Sequence, residues 1–214
     1  MSYRFREPVS GFSHLFGAVV ALLAFIWLAW VAADDFMRLL VISVYGLSVI
    51  ATFSASAIMH LYNGSRAVIQ WLIRLDHAAI YLMIAGTYTA ACYLFLDGMW
   101  LWGMLTTIWI LALAGVAWKL LFWEEGNPWS LAYYLLMGWI CVFIIPVALP
   151  QLDMLGGSLF FLGGLAYTIG AIVFGLRRPN INEWWGYHEI WHLFVLGGFA
   201  FHFWAIARDL LAAM

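Results

Sequence analysis

The sequence predicts an all-α integral membrane protein, a seven-transmembrane helix bundle with its N-terminus in the cytoplasm and its C-terminus outside. Of its 214 residues, 66% are hydrophobic and only 9% are charged, whereas soluble domains have about 45–50% apolar and about 25% charged residues. A bilayer crossing needs about 20 apolar residues, and seven such stretches follow one another with short connections. The whole chain, 1–214, is therefore predicted to be a single seven-transmembrane domain.

The first helix is predicted at about residues 11–33. It follows two arginines and could pass for a signal peptide, but it is longer than the 7–15 apolar residues of a signal sequence, so we expect it to be retained. The other six helices are placed by hydropathy and by turn residues between them. Their predicted ranges are about 39–61, 77–97, 100–123, 129–149, 154–176 and 187–210.

The first six predicted helices each end at polar or helix-breaking residues, which are typical of turns. In chain order these are Asp34-Asp35, Asn63-Gly64-Ser65, Asp97-Gly98, Glu124 to Pro128, Pro150 to Asp153, and Arg177 to Asn182 around Pro179.

Basic residues set the predicted orientation, because Lys and Arg accumulate in short cytoplasmic loops. Seven of the nine fall on one side of the predicted bundle and only Arg38 and Arg208 fall on the other. This bias places the N-terminus inside. We expect a multi-pass protein of the cell inner (plasma) membrane.

Several classes of function are excluded by what the sequence lacks. There is no basic run and no glycine-rich phosphate loop before a helix, so we expect no nucleic-acid or nucleotide partner. The two cysteines, Cys92 and Cys141, lie inside apolar stretches and are interpreted as packing residues. No internal repeat is visible, which disfavours a transporter built from duplicated halves.

Three histidines and an aspartate gather, in this topology, at the cytoplasmic end of the bundle. His60 ends the second predicted helix, Asp76 stands at the start of the third, and His188 and His192 begin the seventh. Because His188 and His192 are four residues apart, both imidazoles project from one helix face and can reach one ion. Ser56 lies one turn from His60 on the same face, where its hydroxyl could bond a water or a substrate oxygen.

Three imidazoles at one membrane depth are the ligand set of a catalytic zinc ion, which keeps a fourth position open to water. A single intramembrane histidine is often an interhelical hydrogen-bond partner. However, an unpaired charge at this depth costs about 2.5–3.5 kcal/mol of insertion free energy. Ionisable residues inside membrane helices are therefore candidates for a functional role. We therefore predict a Zn2+ site on His60, His188 and His192. Asp76 is expected to hold the water as a base beside the metal, with direct ligation left open.

The segment "HEIWH" (188–192) also fits H-E-x-x-H, in which the glutamate is the general base of zinc peptidases. On a helix, Glu189 points about 100° away from His188. The sequence leaves open whether Glu189 faces the metal or the lipid headgroups. An intramembrane metalloprotease therefore stays as a third functional possibility.

Four segments together resemble the bacterial hemolysin III family. That family belongs to the progestin and adipoQ receptor class, within the wider superfamily of alkaline ceramidase-like membrane hydrolases. The segments are "EPVSGFSH" (7–14), "SASAIMH" (54–60), "RLDHAAIYLMIAGTYT" (74–89) and "HEIWHLFVLGGFAFHF" (188–203). The resemblance implies a seven-helix fold with zinc ligands at His60, His188 and His192, and polar partners of the site at Asp76 and Ser56.

The same resemblance assigns Glu7, Ser13 and His14 to the family's N-terminal motif, without a defined role. It also argues against Glu189 as an obligatory base, because the family varies at that position. Ala90 stands where the family commonly has a proline after Gly-Thr-Tyr-Thr, so a kink in the third helix is not expected from this position.

Three further histidines are interpreted as structural. His202 follows His192 by ten residues, about 15 Å along the helix, which is too far to share the ion. We predict that it makes an interhelical hydrogen bond. His14 and His77 lie at the cytoplasmic end and are interpreted as interfacial side chains, with a role beside the zinc as the alternative.

The predicted function is a zinc-dependent hydrolase of a lipid amide or ester at the cytoplasmic leaflet. The expected partners are membrane lipids, including a free fatty acid as product. The alternative is a lipid-homeostasis regulator or receptor-like membrane protein in which the zinc is structural. An open three-histidine site with an adjacent aspartate favours chemistry.

Overall fold

The computed structural model describes residues 5–122 and 129–212, and every regular element in those two ranges is helical. In the described residues six helices are long and apolar enough to cross a membrane, and counting one bent pair of helical segments as a single span gives seven. The long helices are α1 (Pro8–Val31), α2 (Phe36–Leu61), α3 (Arg66–Phe95), α4 (Gly98–Leu121), α7 (Met154–Leu176) and α8 (Tyr187–Ala212). The prediction of a multi-pass helical membrane protein is confirmed.

Most helix boundaries fall within three residues of the prediction, and side-chain caps explain where some of them lie. Asp35 accepts hydrogen bonds from the backbone N–H groups of Met37 and Arg38, so α2 begins at Phe36. Asp153 accepts from the N–H of Gly156 and sets the start of α7. Each cap satisfies a donor that would otherwise be left without a partner in the first helical turn.

The third helix begins eleven residues earlier than predicted. The expected start was residue 77, but α3 starts at Arg66, with Ser65 as its N-cap. Asp76 therefore lies inside α3 rather than at its start. Hydropathy placed the boundary wrongly because Arg66 and Arg74 lower the local average. A helix of 30 residues is about 45 Å long, which leaves room for a basic first part outside the bilayer core of about 30 Å.

The fifth predicted helix, 129–149, is not continuous. It consists of α5 (Trp129–Trp139), a 3-10 turn at Ile140–Phe143, the short helix α6 (Ile145–Ala148) and a second 3-10 turn at Leu149–Gln151. The two halves are bent by 46°. Pro146, near the start of α6, has no N–H to continue the hydrogen-bond ladder across the break.

The helices form a bundle in which neighbours in sequence are mostly neighbours in space. Helix α1 packs between α2 and α8, α3 packs against α2 and α4, and α8 also contacts α7. Phe53 of α2 is completely buried in a core cluster with residues of α1 and α8, while Tyr81 of α3 is completely buried in another with α4 and α5. The first cluster lies directly beside the polar residues described next.

Candidate metal centre

Three of the predicted ligands meet at one end of the bundle. One ring nitrogen each from His60, His188 and His192 lies within 4.8 Å of the other two. The Nε2 atoms of His60 and His188 are 3.3 Å apart. His60 and His192 are buried, and His188 is partly buried. The convergence predicted from the sequence is confirmed, and the three nitrogens are close enough together to hold one metal ion.

His60 is held through its other ring nitrogen by Glu7. The Nδ1 atom of His60 makes a short hydrogen bond with the Glu7 carboxylate, and the backbone N–H of Glu7 donates to the His60 carbonyl at 3.0 Å. Since an ionised carboxylate can only accept, Nδ1 carries the proton. The lone pair of Nε2 is therefore directed toward the centre of the cluster.

His192 is held in the same manner by the first turns of α1. Its Nδ1 atom lies 3.1 Å from the carbonyl oxygen of Ser10 and 3.2 Å from the hydroxyl of Ser13. A carbonyl can only accept, so Nδ1 donates and Nε2 of His192 is left with its lone pair. Ligating histidines usually donate their second ring nitrogen to such acceptors.

His14 is part of the site, although its sequence position alone did not identify it as such. Its ring is 4% exposed and stacks on the ring of His192, with centroids 3.6 Å apart and planes inclined by 8°. Its Nδ1 atom lies 2.7 Å from the Ser56 hydroxyl. A sequence pattern could have indicated this position. The spacing of Glu7, Ser10 and His14 places three polar residues on one face of an apolar helix.

Asp76 is linked to the candidate site through Ser56, which also contacts His14. The aspartate is 9% exposed, its carboxylate is a hydrogen-bond partner of Ser56, and it is 3.6 Å from Nδ1 of His77. Among the described residues, the metal-competent group contains the three histidines without Asp76. The prediction that Asp76 acts as a base beside the metal, with direct ligation left open, stays a prediction.

Glu189 has both carboxylate oxygens engaged away from the cluster. One accepts from the Ser10 hydroxyl at 2.6 Å and the other from the backbone N–H of Gly186 at 2.9 Å. These bonds fix the start of α8 against α1. They count against the metalloprotease possibility, which needs this carboxylate as a base.

The remaining histidines are structural in their contacts. His202 lies 3.2 Å from the Phe160 carbonyl of α7 through Nε2, which confirms the predicted interhelical hydrogen bond. His77 is bonded to the carbonyl of Ile73, one turn earlier in its own helix, at 2.8 Å.

The Glu7 carboxylate supplies negative charge at the rim of the site. Burial acts to raise its pKa, but the hydrogen bond from His60 and the charge of Arg6 outweigh burial and lower the pKa to about 2. Glu7 is thus a carboxylate at neutral pH. The rim of the site therefore carries an anionic acceptor for His60.

Comparisons with known proteins place these residues in a family context. The family model described as "Haemolysin-III related" matches residues 2–203. Hemolysin-3 of Bacillus cereus is 35% identical over 203 residues, covering 94% of this chain and 90% of the relative. The Hemolysin-3 homolog of Bacillus subtilis (strain 168) is 30% identical over the same length, covering 94% and 92%.

A more distant similarity extends to animals. The monocyte to macrophage differentiation factor of Homo sapiens is 28% identical over 182 residues, covering 83% of this chain and 74% of that protein. The matched region of the family model contains every residue of the metal centre described above.

Proposed function

Because this chain belongs to the haemolysin-III related family, and because three of its histidines lie close enough to share one ion, we propose that it is a zinc-dependent membrane hydrolase. Its substrate is a lipid amide or ester whose carbonyl reaches the cytoplasmic leaflet of the inner membrane. The observation that carries the proposal is the convergence of His60, His188 and His192.

The donor set fits zinc in its chemistry and spacing. Two nitrogens bound to a tetrahedral Zn2+ at about 2.0–2.1 Å lie about 3.3–3.4 Å apart, and Nε2 of His60 and Nε2 of His188 are 3.3 Å apart. His60, His188 and His192 would hold the ion, and three protein ligands are the number found in catalytic zinc sites. Zinc bound there supplies a Lewis acid that acidifies water and polarises a carbonyl.

Asp76 is the group that we assign as the general base. A carboxylate oxygen of Asp76 takes a proton from the attacking water and later returns it to the leaving group. The Ser56 hydroxyl was predicted to hold the substrate oxygen. Its contacts with His14 and Asp76 favour a second role, which is to fix the orientation of the Asp76 carboxylate.

The substrate class follows from the location of these groups. They lie at one end of the bundle, inside the membrane-spanning helices, so an acyl chain can occupy apolar space between helices while its amide or ester stays at headgroup depth. The products are a free fatty acid and an amine or alcohol. Membrane lipid is therefore the expected partner.

A structural metal is the second candidate, and one feature of the packing favours it. Helices α2 and α8 each pack against α1 and α3, and an ion on His60, His188 and His192 would join α2 to α8 directly. In that case the protein is a receptor-like or lipid-homeostasis protein stabilised by zinc. The two candidates differ in whether the zinc-loaded protein hydrolyses a lipid.

The first experiment measures the metal. We expect about one zinc per purified chain, lost on replacing His60, His188 or His192 by Ala and retained in His202→Ala, which removes a partly buried histidine from the same helix as two of the ligands. Full zinc occupancy in a His188→Ala, His192→Ala double variant would contradict the ligand assignment.

The second experiment measures turnover. The protein is reconstituted with ceramides, N-acyl lipids and phospholipids, and free fatty acid is followed by mass spectrometry. Asp76→Asn should keep its zinc and lose about 100-fold or more in rate, because it preserves shape and removes the base. No release from any lipid would favour the structural metal, whereas zinc-dependent release that is equal in wild type and Asp76→Asn would show that Asp76 is not the base.

A further inference from the structure

The first two turns of α1 and the residue before them contact two of the ligand histidines from outside the metal cluster. We call residues 7–14 the N-terminal brace. Its side chains Glu7, Ser10, Ser13 and His14 contact α2, α8 or both. This segment supplies no ligand to the described cluster, so its polar residues need another explanation.

We propose that the N-terminal brace fixes His60 and His192 in the tautomer and orientation that present Nε2 to the metal. Glu7 and Ser13 are then positioning residues that determine metal affinity through the ligands. This inference rests on the metal site of the proposed function, but it does not require that the site be catalytic.

The hydrogen bonds define the tautomers independently at the two ligands. At His60 the acceptor is the Glu7 carboxylate. At His192 the acceptors are the Ser10 carbonyl at 3.1 Å and the Ser13 hydroxyl oxygen at 3.2 Å. The Ser13 hydroxyl proton is itself donated to the Ser10 carbonyl at 2.8 Å, which leaves its oxygen free to accept from His192.

Ring orientation is restricted as well. The His14 ring lies flat against His192 and edge-on to Phe53, with centroid distances of 3.6 Å and 5.1 Å. Since His192 is 2% exposed, its imidazole has little room to rotate. A ligand already held in its binding orientation loses less conformational freedom when the metal binds.

The brace also connects the two ligand helices. Glu7 holds the end of α2 through its side chain and through its backbone N–H to the His60 carbonyl. Ser10 holds the start of α8 through its hydroxyl to Glu189 and its carbonyl to His192. The distance between ligands on α2 and α8 is therefore set partly by α1.

The test is zinc affinity, measured by competition with a chelator on the purified full-length protein in detergent. Glu7→Ala should weaken zinc binding about 10–100-fold, the usual effect of removing such a partner. Glu7→Gln should weaken it less, because the amide oxygen still accepts from Nδ1. Ser13→Ala should cost about two- to tenfold, since the Ser10 carbonyl remains.

The matched control is Asp97→Ala. Asp97 is an exposed carboxylate that precedes α4 and makes no capping hydrogen bond with its side chain. Removing it changes the net charge by the same amount as Glu7→Ala without touching the brace. Its zinc affinity should stay within about twofold of wild type.

A second measurement separates positioning from a general loss of stability. Zinc that binds only the folded protein raises the melting temperature, and at a fixed zinc concentration the rise is larger the tighter the binding. In Glu7→Ala the rise produced by added zinc should shrink, and Glu7→Gln should restore part of it. If the brace only stabilised the fold, the zinc-free melting temperature would fall while the rise produced by zinc stayed the same.

Zinc affinities of Glu7→Ala and Ser13→Ala within about twofold of Asp97→Ala would overturn the inference while leaving the metal site intact. Absence of zinc binding in the wild-type protein would overturn both proposals. Absence of hydrolysis with normal zinc binding would bear on the proposed function alone.

Discussion

Tyr88 is a residue whose role depends on the break in the fifth span. Its hydroxyl lies 2.9 Å from the carbonyls of Met137 and Gly138 and accepts from the backbone N–H of Cys141 at 2.8 Å. These backbone groups lie where α5 gives way to the 3-10 turn. The hydroxyl therefore replaces hydrogen bonds that a regular helix would have made, at a depth where water is scarce.

We expect Tyr88→Phe to lower the free energy of unfolding by about 1–3 kcal/mol, the cost of leaving buried polar groups without a partner. The measurement is chemical unfolding in detergent. The control is Tyr93→Phe, on the same helix, where the tyrosine is partly buried against the other core cluster. Equal effects of the two substitutions would contradict this role for the Tyr88 hydroxyl.

At the scale of elements, the contact between α7 and α8 depends on glycines spaced by seven. Gly156, Gly163 and Gly170 all face α8, and a β carbon at Gly163 would overlap the imidazole ring of His202. The neighbouring Gly164 has no atom within 4 Å of such a β carbon. Close helix approach at small residues is a common way to pack membrane helices.

Gly163→Ala should therefore destabilise the protein by about 1–3 kcal/mol, because the added methyl group forces the helices or His202 to move. Gly164→Ala should be neutral or stabilising by up to about 1 kcal/mol, because alanine is the better helix former. Thermal unfolding of the two variants in the same detergent checks this. Equal destabilisation by both would show that helix contact is not the cause.

At the scale of the whole molecule, contacts between helix ends constrain the number of times the chain crosses the membrane. The starts of α1 and α8 meet at the metal centre through Ser10 and Glu189, and Arg208 near the end of α8 pairs with Asp153 at the start of α7. An even number of crossings must therefore separate the starts of α1 and α8. Helices α1 to α4 and α7 supply five, so α5 and α6 together cross once.

The charge distribution then predicts a cytoplasmic N-terminus and an external C-terminus. A fluorescent reporter that folds only in the cytoplasm should be dark at residue 214. The same reporter placed after Leu121, which ends α4, should be bright. A bright reporter at residue 214 combined with a dark one after Leu121 would reverse the orientation and place the metal centre at the outer leaflet.

Hydropathy and charge in the sequence predicted a multi-pass helical membrane protein, and its polar residues predicted three members of the candidate metal centre. Hydropathy fixes the spans because a bilayer demands long apolar helices with no exposed backbone polar groups. His60, His188 and His192 could be found because ionisable residues are rare at membrane depth. In such a chain a few polar side chains carry more information than they would in a soluble protein.

The surroundings of these three histidines depend on how the helices pack in three dimensions. The acceptors on His60 and His192 come from α1, and Glu7 is separated from His60 by 53 residues and Ser13 from His192 by 179. No local pattern specifies such pairs, because helix packing and rotation decide which side chains meet. The early start of α3 depends on a side-chain cap, and the break in the fifth helix depends on the Tyr88 hydroxyl. Hydropathy does not measure either hydrogen-bonding contribution. Hydropathy measures transfer into lipid, whereas the site depends on directional hydrogen bonds between helices.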